Sequence, residues 1–275
     1  MLIGGLKVQI HGAVPSGTAS AIAGHIAEAY ERLAPPPRLP LEVRLVDTRE
    51  RMAALGAADK VRYGITTTGD EGFACVHDAF EDRPRITICV EAFERPGGFP
   101  VAALRHEVGH AALHGRRAFY EVRLDAELRR AAALRELNDA GLLQLLFFVS
   151  VGVKDWEVSR LLLRHGFLND VRALAWDMLA FSEDDRTAWR LAEGVPALRL
   201  LWAASQLKPL LHAAPLRALP EVGEVEARAG EMLHYLSGAR RDLLVELAWR
   251  TASDLGDDTH ANITLAAGTL LDEGF

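Results

Sequence analysis

The chain has 275 residues, 49% apolar and 25% charged, enough for one large domain or two modest lobes with an ample core. Its formal net charge of -7 disfavours nonspecific attraction to nucleic acid or to an anionic membrane surface, since both carry the same sign. Two cysteines, Cys75 and Cys89, are too few for a disulfide framework and are expected as buried thiols in a reducing compartment.

The opening MLIGGLKVQIHG lacks the basic stretch, long apolar segment and cleavage site of a secretory signal, so a soluble cytoplasmic protein is expected. Residues 6–12 and 41–47 alternate apolar and polar side chains, the pattern of half-buried strands. Between them, 17–33 has helical spacing and stops at Pro35-Pro36-Pro37. Further strands are predicted at 61–67, 73–80 and 85–93, with turns at Gly69, Gly72, Pro84 and Gly97-Gly98. A helix should start at Phe99-Pro100 and run to His114, with Gly115 placed to end it in the left-handed conformation.

From Ala118 onward only helical patterns appear, at 118–137, 141–164, 168–181, 185–213, 224–236, 239–254 and 261–271. The most apolar run, 140–153, is shorter than the ~18–20 residues that span a bilayer and passes into Lys154-Asp155, which predicts a buried helix. The expected fold class is therefore α+β. An α/β lobe with a small mixed sheet occupies 1–115 and ends in an active-site helix, and an all-helical lobe occupies 116–275.

That helix carries His106-Glu107-Val108-Gly109-His110. Imidazoles four residues apart lie one turn apart on one helix face, so both can reach one metal ion. The glutamate between them projects beside the metal, where it can hold and deprotonate a bound water. This points to a zinc hydrolase, with Zn2+ as cofactor, His106 and His110 as ligands and Glu107 as general base. Its expected partner is a peptide or protein substrate, which could lie along an edge strand of the sheet.

A catalytic zinc needs a third protein ligand. The histidine-completed pattern HExxHxxGxxH would require glycine at 113 and histidine at 116, where this chain has Leu113 and Arg116. A later carboxylate is the alternative. Glu157 leads, because Lys154, Asp155 and Glu157 follow a strongly apolar run and are costly to bury without partners. Pairing of Glu157 with Arg160 or Arg164 is the competing reading. Glu121 is the second candidate, with Asp125 one turn later to orient an imidazole. Those two acids could instead pair with Arg116, Arg117 or Arg129.

His114, rotated by roughly 80° from His106 on an ideal helix, is read as a supporting or packing residue. His11 and His77, on predicted strands, are read as structural, with an edge-strand substrate contact as the alternative. Tyr120, His165, His234 and Tyr235 are candidate donors to a developing oxyanion.

The helix HEVGHAALHG with the later KDWEVSRLL resembles gluzincin-type zinc metallopeptidases, in which a glutamate on a later helix completes HExxH. The segment around Glu157 also resembles the E-A-x-x-L/F pattern of compact prokaryotic peptidases, including ImmA/IrrE-type proteins. It is similar as well to uncharacterised prokaryotic zincin-like proteins with HExxHxxLHG followed by a KD-aromatic-EV helix. The resemblance implies a zincin-like fold, His106, His110 and Glu157 as zinc ligands, and Glu107 as base. One departure is Leu161, where an acidic residue is usual four positions after the glutamate. Two other functions stay open: a zincin-like scaffold that binds protein partners with little or no hydrolysis, and a metal hydrolase of a non-peptide substrate.

Overall fold

The computed structural model describes residues 2–3, 6–65, 74–94, 99–122, 124–220, 222–273 and 275. The turns expected at Gly69, Gly72 and Gly97-Gly98, and positions 66–67 of a predicted strand, lie outside them. The protein is α+β, with its strands in the first third and helices after them. Two compact units form, Met1–Tyr120 with Leu161–Leu174, and Glu121–Arg160 with Ala175–Phe275. This differs from a single break after residue 115, because 161–174 belongs to the first unit.

The first unit holds a five-stranded mixed sheet in the order β1-β2-β3-β5-β4. Its strands are β1 (Leu2–Ile3), β2 (Leu6–His11), β3 (Glu42–Val46), β4 (Cys75–Asp78) and β5 (Arg85–Cys89). β2, β3 and β5 run parallel, while β1 and β4 lie antiparallel at the two edges. Side chains alternate along a strand, so register alone sorts the two faces. Val8, Val43, Ile86 and His77 form one row, and Ile10, Leu45, Ile88 and Cys75 the next. The opposite face carries Arg44, Arg85 and Asp78, and Val46 and Cys89 beside them.

Helices α1 (Ser16–Leu33) and α3 (Phe99–Leu113) pack on each other and against the strands. α1 buries Ile22, Ile26 and Leu33, and α3 buries Ala102, Leu104, Val108 and Ala111. The charged face is covered by α2 (Arg49–Tyr63), whose Asp59 pairs with Arg44 at 2.6 Å and with Arg85 at 2.9 Å. α2 corrects the strand predicted at 61–67. Thr48 caps it by accepting from Arg51 N at 3.3 Å, and Gly64 ends it at φ +66. The strong helix formers between those caps outvote Val61 and Tyr63.

The strand predicted over 85–93 stops at Cys89 and continues as a 3-10 turn, Val90–Glu94. Gly115 does not take the left-handed conformation; it is required by close approach, since a Cβ there would lie 2.6 Å from Ala111 O. Cys75 and Cys89 are buried free thiols. Cys75 pairs with Ile88 in the register, so Cys89 sits one step away on the opposite face. Phe167, from the 161–174 segment, lies under the guanidinium of Arg32 at 4.1 Å and of Arg105 at 5.0 Å.

The second unit is built from α4 (Ala126–Leu134), α5 (Asp139–Arg164, apart from its last turn), α7 (Glu183–Ala192), α8 (Pro196–Ala213), α9 (Val222–Met232), α10 (Gly238–Asp254) and α11 (Thr259–Glu273); α6 (Leu168–Met178) straddles the division. The helix expected at 118–137 is a 3-10 turn, Arg117–Tyr120, followed by α4, because Asp125 caps α4 by accepting from Leu128 N at 2.7 Å. The helix expected at 185–213 breaks at Gly194-Val195, and Pro196 opens α8, where its missing N–H is not needed. Trp189, Trp202 and Phe275 form an aromatic core, with Trp189 and Trp202 centroids 4.7 Å apart. The 140–153 run lies in α5 and buries Leu142, Leu145, Leu146, Val149 and Val153. Among the described residues, no single helix is long and apolar enough to cross a membrane.

Candidate metal centre

α3 brings together the residues its spacing predicts. His106 Nε2 and His110 Nε2 lie 3.1 Å apart, with their rings nearly perpendicular. Two nitrogens on a tetrahedral ion, each bound at about 2.0–2.1 Å, would be roughly 3.3 Å apart. The imidazole pair thus has the bite of a chelate, and the donor set fits zinc. On the far side of His110, Nδ1 lies 3.1 Å from Nδ1 of the buried His114, whose ring packs on Phe119. Metal-binding imidazoles are normally held through that outer nitrogen, and His114 holds this one.

Glu107 is half-buried between the two histidines. The Cys75 thiol is pushed well above its ordinary value, first by burial and then by the negative charge of Glu107. Cys75 therefore stays a protonated thiol. His77, on the same edge strand, lies nearly parallel to the ring of His110, with centroids 6.1 Å apart. Its Nδ1 is 2.7 Å from the hydroxyl of the partly exposed Tyr120. The first unit so gathers His106, Glu107, His110, His114, His77 and Tyr120.

The other predicted donors have different surroundings. His165, also of the first unit, donates from Nδ1 to Leu161 O at 2.9 Å. In the second unit His234 donates to Glu231 O at 2.8 Å and packs on Phe181. Tyr235 packs against Trp202 and Phe181, and burial, then the charge of Asp185, raises its hydroxyl.

Glu157, on α5, is held by two residues of α11. Its Oε2 accepts from Thr259 Oγ1 at 2.9 Å and its Oε1 from Asn262 Nδ2 at 2.8 Å. Arg160 stacks over Trp156 at 4.4 Å and reaches Asp257 at 3.9 Å. Glu121 is exposed, and Asp125, expected to orient an imidazole, serves as the α4 cap. Arg116 pairs with Asp82 at 3.0 Å.

Sequence reasoning missed two buried groups of this unit, Asp155 on α5 and His212 on α8. The neighbouring Lys154 is lowered to about 8 by burial, against the opposing pull of the Asp155 and Glu157 charges. No protein-family model matches the chain, and no curated protein or solved structure is significantly similar to it. The likeness to gluzincin-type peptidases thus rests on the motif residues alone.

Proposed function

We propose that the protein is a cytoplasmic, zinc-dependent metallopeptidase with a zincin-like fold. The observation that carries this reading is the 3.1 Å separation of His106 Nε2 and His110 Nε2 on one face of α3, with Glu107 between them. Zinc, when bound, supplies a Lewis acid that acidifies a water and polarises a carbonyl. Glu107 takes the proton of the attacking water and hands it to the leaving amine. Tyr120, held by His77, is the donor best placed in the first unit to meet the developing oxyanion.

The family resemblance implies Glu157 as the third donor. Thr259 and Asn262 each donate to a separate oxygen of Glu157 and so fix the orientation of its carboxylate. A peptide is favoured as substrate because β4 is an edge strand packed beside α3, and an extended chain can pair with such an edge. Two buried free thiols agree with a reducing setting.

The test is incubation of zinc-loaded protein with a diverse peptide library, with products read by mass spectrometry. Cleavage should appear, stop on chelation and return with zinc. A zinc-loaded protein that cleaves nothing in the library would overturn the peptidase reading in favour of a scaffold for protein partners.

A further inference from the structure

We infer that Asp82, in the turn between β4 and β5, is a positioning residue for Tyr120, the donor assigned above to the developing oxyanion. The inference rests on that peptidase reading and stays within the first unit. β4 and β5 pair as far as Asp78 and Arg85, which leaves 79–84 as the connecting turn. Asp82 takes the left-handed conformation there, at φ +56, which aspartate, asparagine and glycine tolerate better than other residues.

From that turn its carboxylate reaches the segment that follows α3. Oδ1 accepts from the backbone N of Arg117 at 3.1 Å, and Oδ2 accepts from Arg116 Nη1 at 3.0 Å. Gly115 makes room for the contact, because a Cβ there would lie 2.6 Å from Ala111 O and 3.2 Å from Cβ of Pro84, the last residue of the turn. The ion pair with Arg116 adds little, since both side chains are exposed. The bond from the Arg117 amide is directional and fixes backbone.

One hairpin thus grips the Arg117–Tyr120 turn at both ends. Asp82 holds its first residue by the amide, and His77, on β4, holds the hydroxyl of its last at 2.7 Å. Between them Phe119 packs edge-on against His114, with centroids 5.4 Å apart, and its N donates to Arg116 O at 3.2 Å. His77 lies along the ring of His110, so the grip refers the turn to the metal-binding face of α3. A single hydrogen bond from His77 sets the distance of the Tyr120 hydroxyl but not its direction. Asp82 supplies the second fixed point.

Two substitutions in the full-length chain separate positioning from folding. Asp82→Gly keeps the left-handed backbone and removes the carboxylate, whereas Asp82→Asn keeps an acceptor for the Arg117 amide. On a peptide cleaved by the zinc-loaded wild type, Asp82→Gly should lower kcat about tenfold with KM changed less than about twofold, and Asp82→Asn should stay within about twofold of wild type. In a Tyr120→Phe background the glycine variant should cost less than about twofold more, because no hydroxyl is left to position. Amide hydrogen exchange of the metal-free proteins, read by mass spectrometry, should rise over 116–120 in Asp82→Gly alone, and unchanged exchange elsewhere shows the fold intact. Unchanged kcat in Asp82→Gly, unchanged exchange over 116–120, or equal losses with and without the Tyr120 hydroxyl would overturn the positioning role and leave the peptidase reading standing. A zinc-loaded wild type that cleaves no peptide would overturn that reading and this role with it.

Discussion

Glu107→Gln is expected to keep its zinc and to lose hydrolysis by about 10²–10⁴-fold, the usual contribution of a positioned general base. Glutamine preserves the shape and the α3 backbone but cannot accept a proton from water. Glu107 lies three residues before His110 and one after His106, so its carboxylate belongs to the same turn as both imidazoles without being needed to hold the ion. The loss corresponds to about 3–5 kcal/mol of transition-state stabilisation and should fall on kcat with little change in KM. Zinc content by atomic emission and steady-state kinetics on one cleaved peptide read the two halves separately. Retained hydrolysis would refute Glu107 as base, and lost zinc would make it a ligand instead.

Arg85→Met should destabilise the chain by about 3–5 kcal/mol at neutral pH, as expected when one partner is removed from a buried ion-pair network. Arg85 is only 4% exposed; its Nε donates to Asp78 at 2.9 Å and its Nη2 to Asp59 at 2.9 Å. Asp59 keeps Arg44, but Asp78 loses its main compensation. Burial already raises the Asp78 carboxyl, with Arg85 pulling it back down. In the variant that opposition disappears, so Asp78 protonates more readily and the penalty should shrink as pH falls from 7.5 toward 5. Urea unfolding of both proteins at the two pH values tests this. A difference below about 1 kcal/mol at pH 7.5 would mean that the network contributes little.

The metal motif was legible because its chemistry is local: His106, Glu107 and His110 are brought together by helical spacing alone. Strands 6–11 and 42–46 were legible for the same reason, since alternation reports a half-buried face. His77 was harder to read, because only the pairing of β4 with β5 puts it on the α3-facing side beside Tyr120. Asp155 and Glu157 follow the same apolar run, and sequence cannot say which neighbouring helix each will face. Gly152 was the available signal, a glycine inside an apolar helix one turn before Asp155, marking close helix approach. His212 sits among Leu, Ala and Pro and reads as an ordinary core histidine until Ser159 is found against it.

Zinc bound per chain, in wild type and in the His106→Ala/His110→Ala double variant, tests the central claim most directly. About one ion per wild-type chain and none above background in the double variant is the expected result. Equal zinc in the two proteins would contradict a metal centre on α3, and with it the hydrolase built around Glu107.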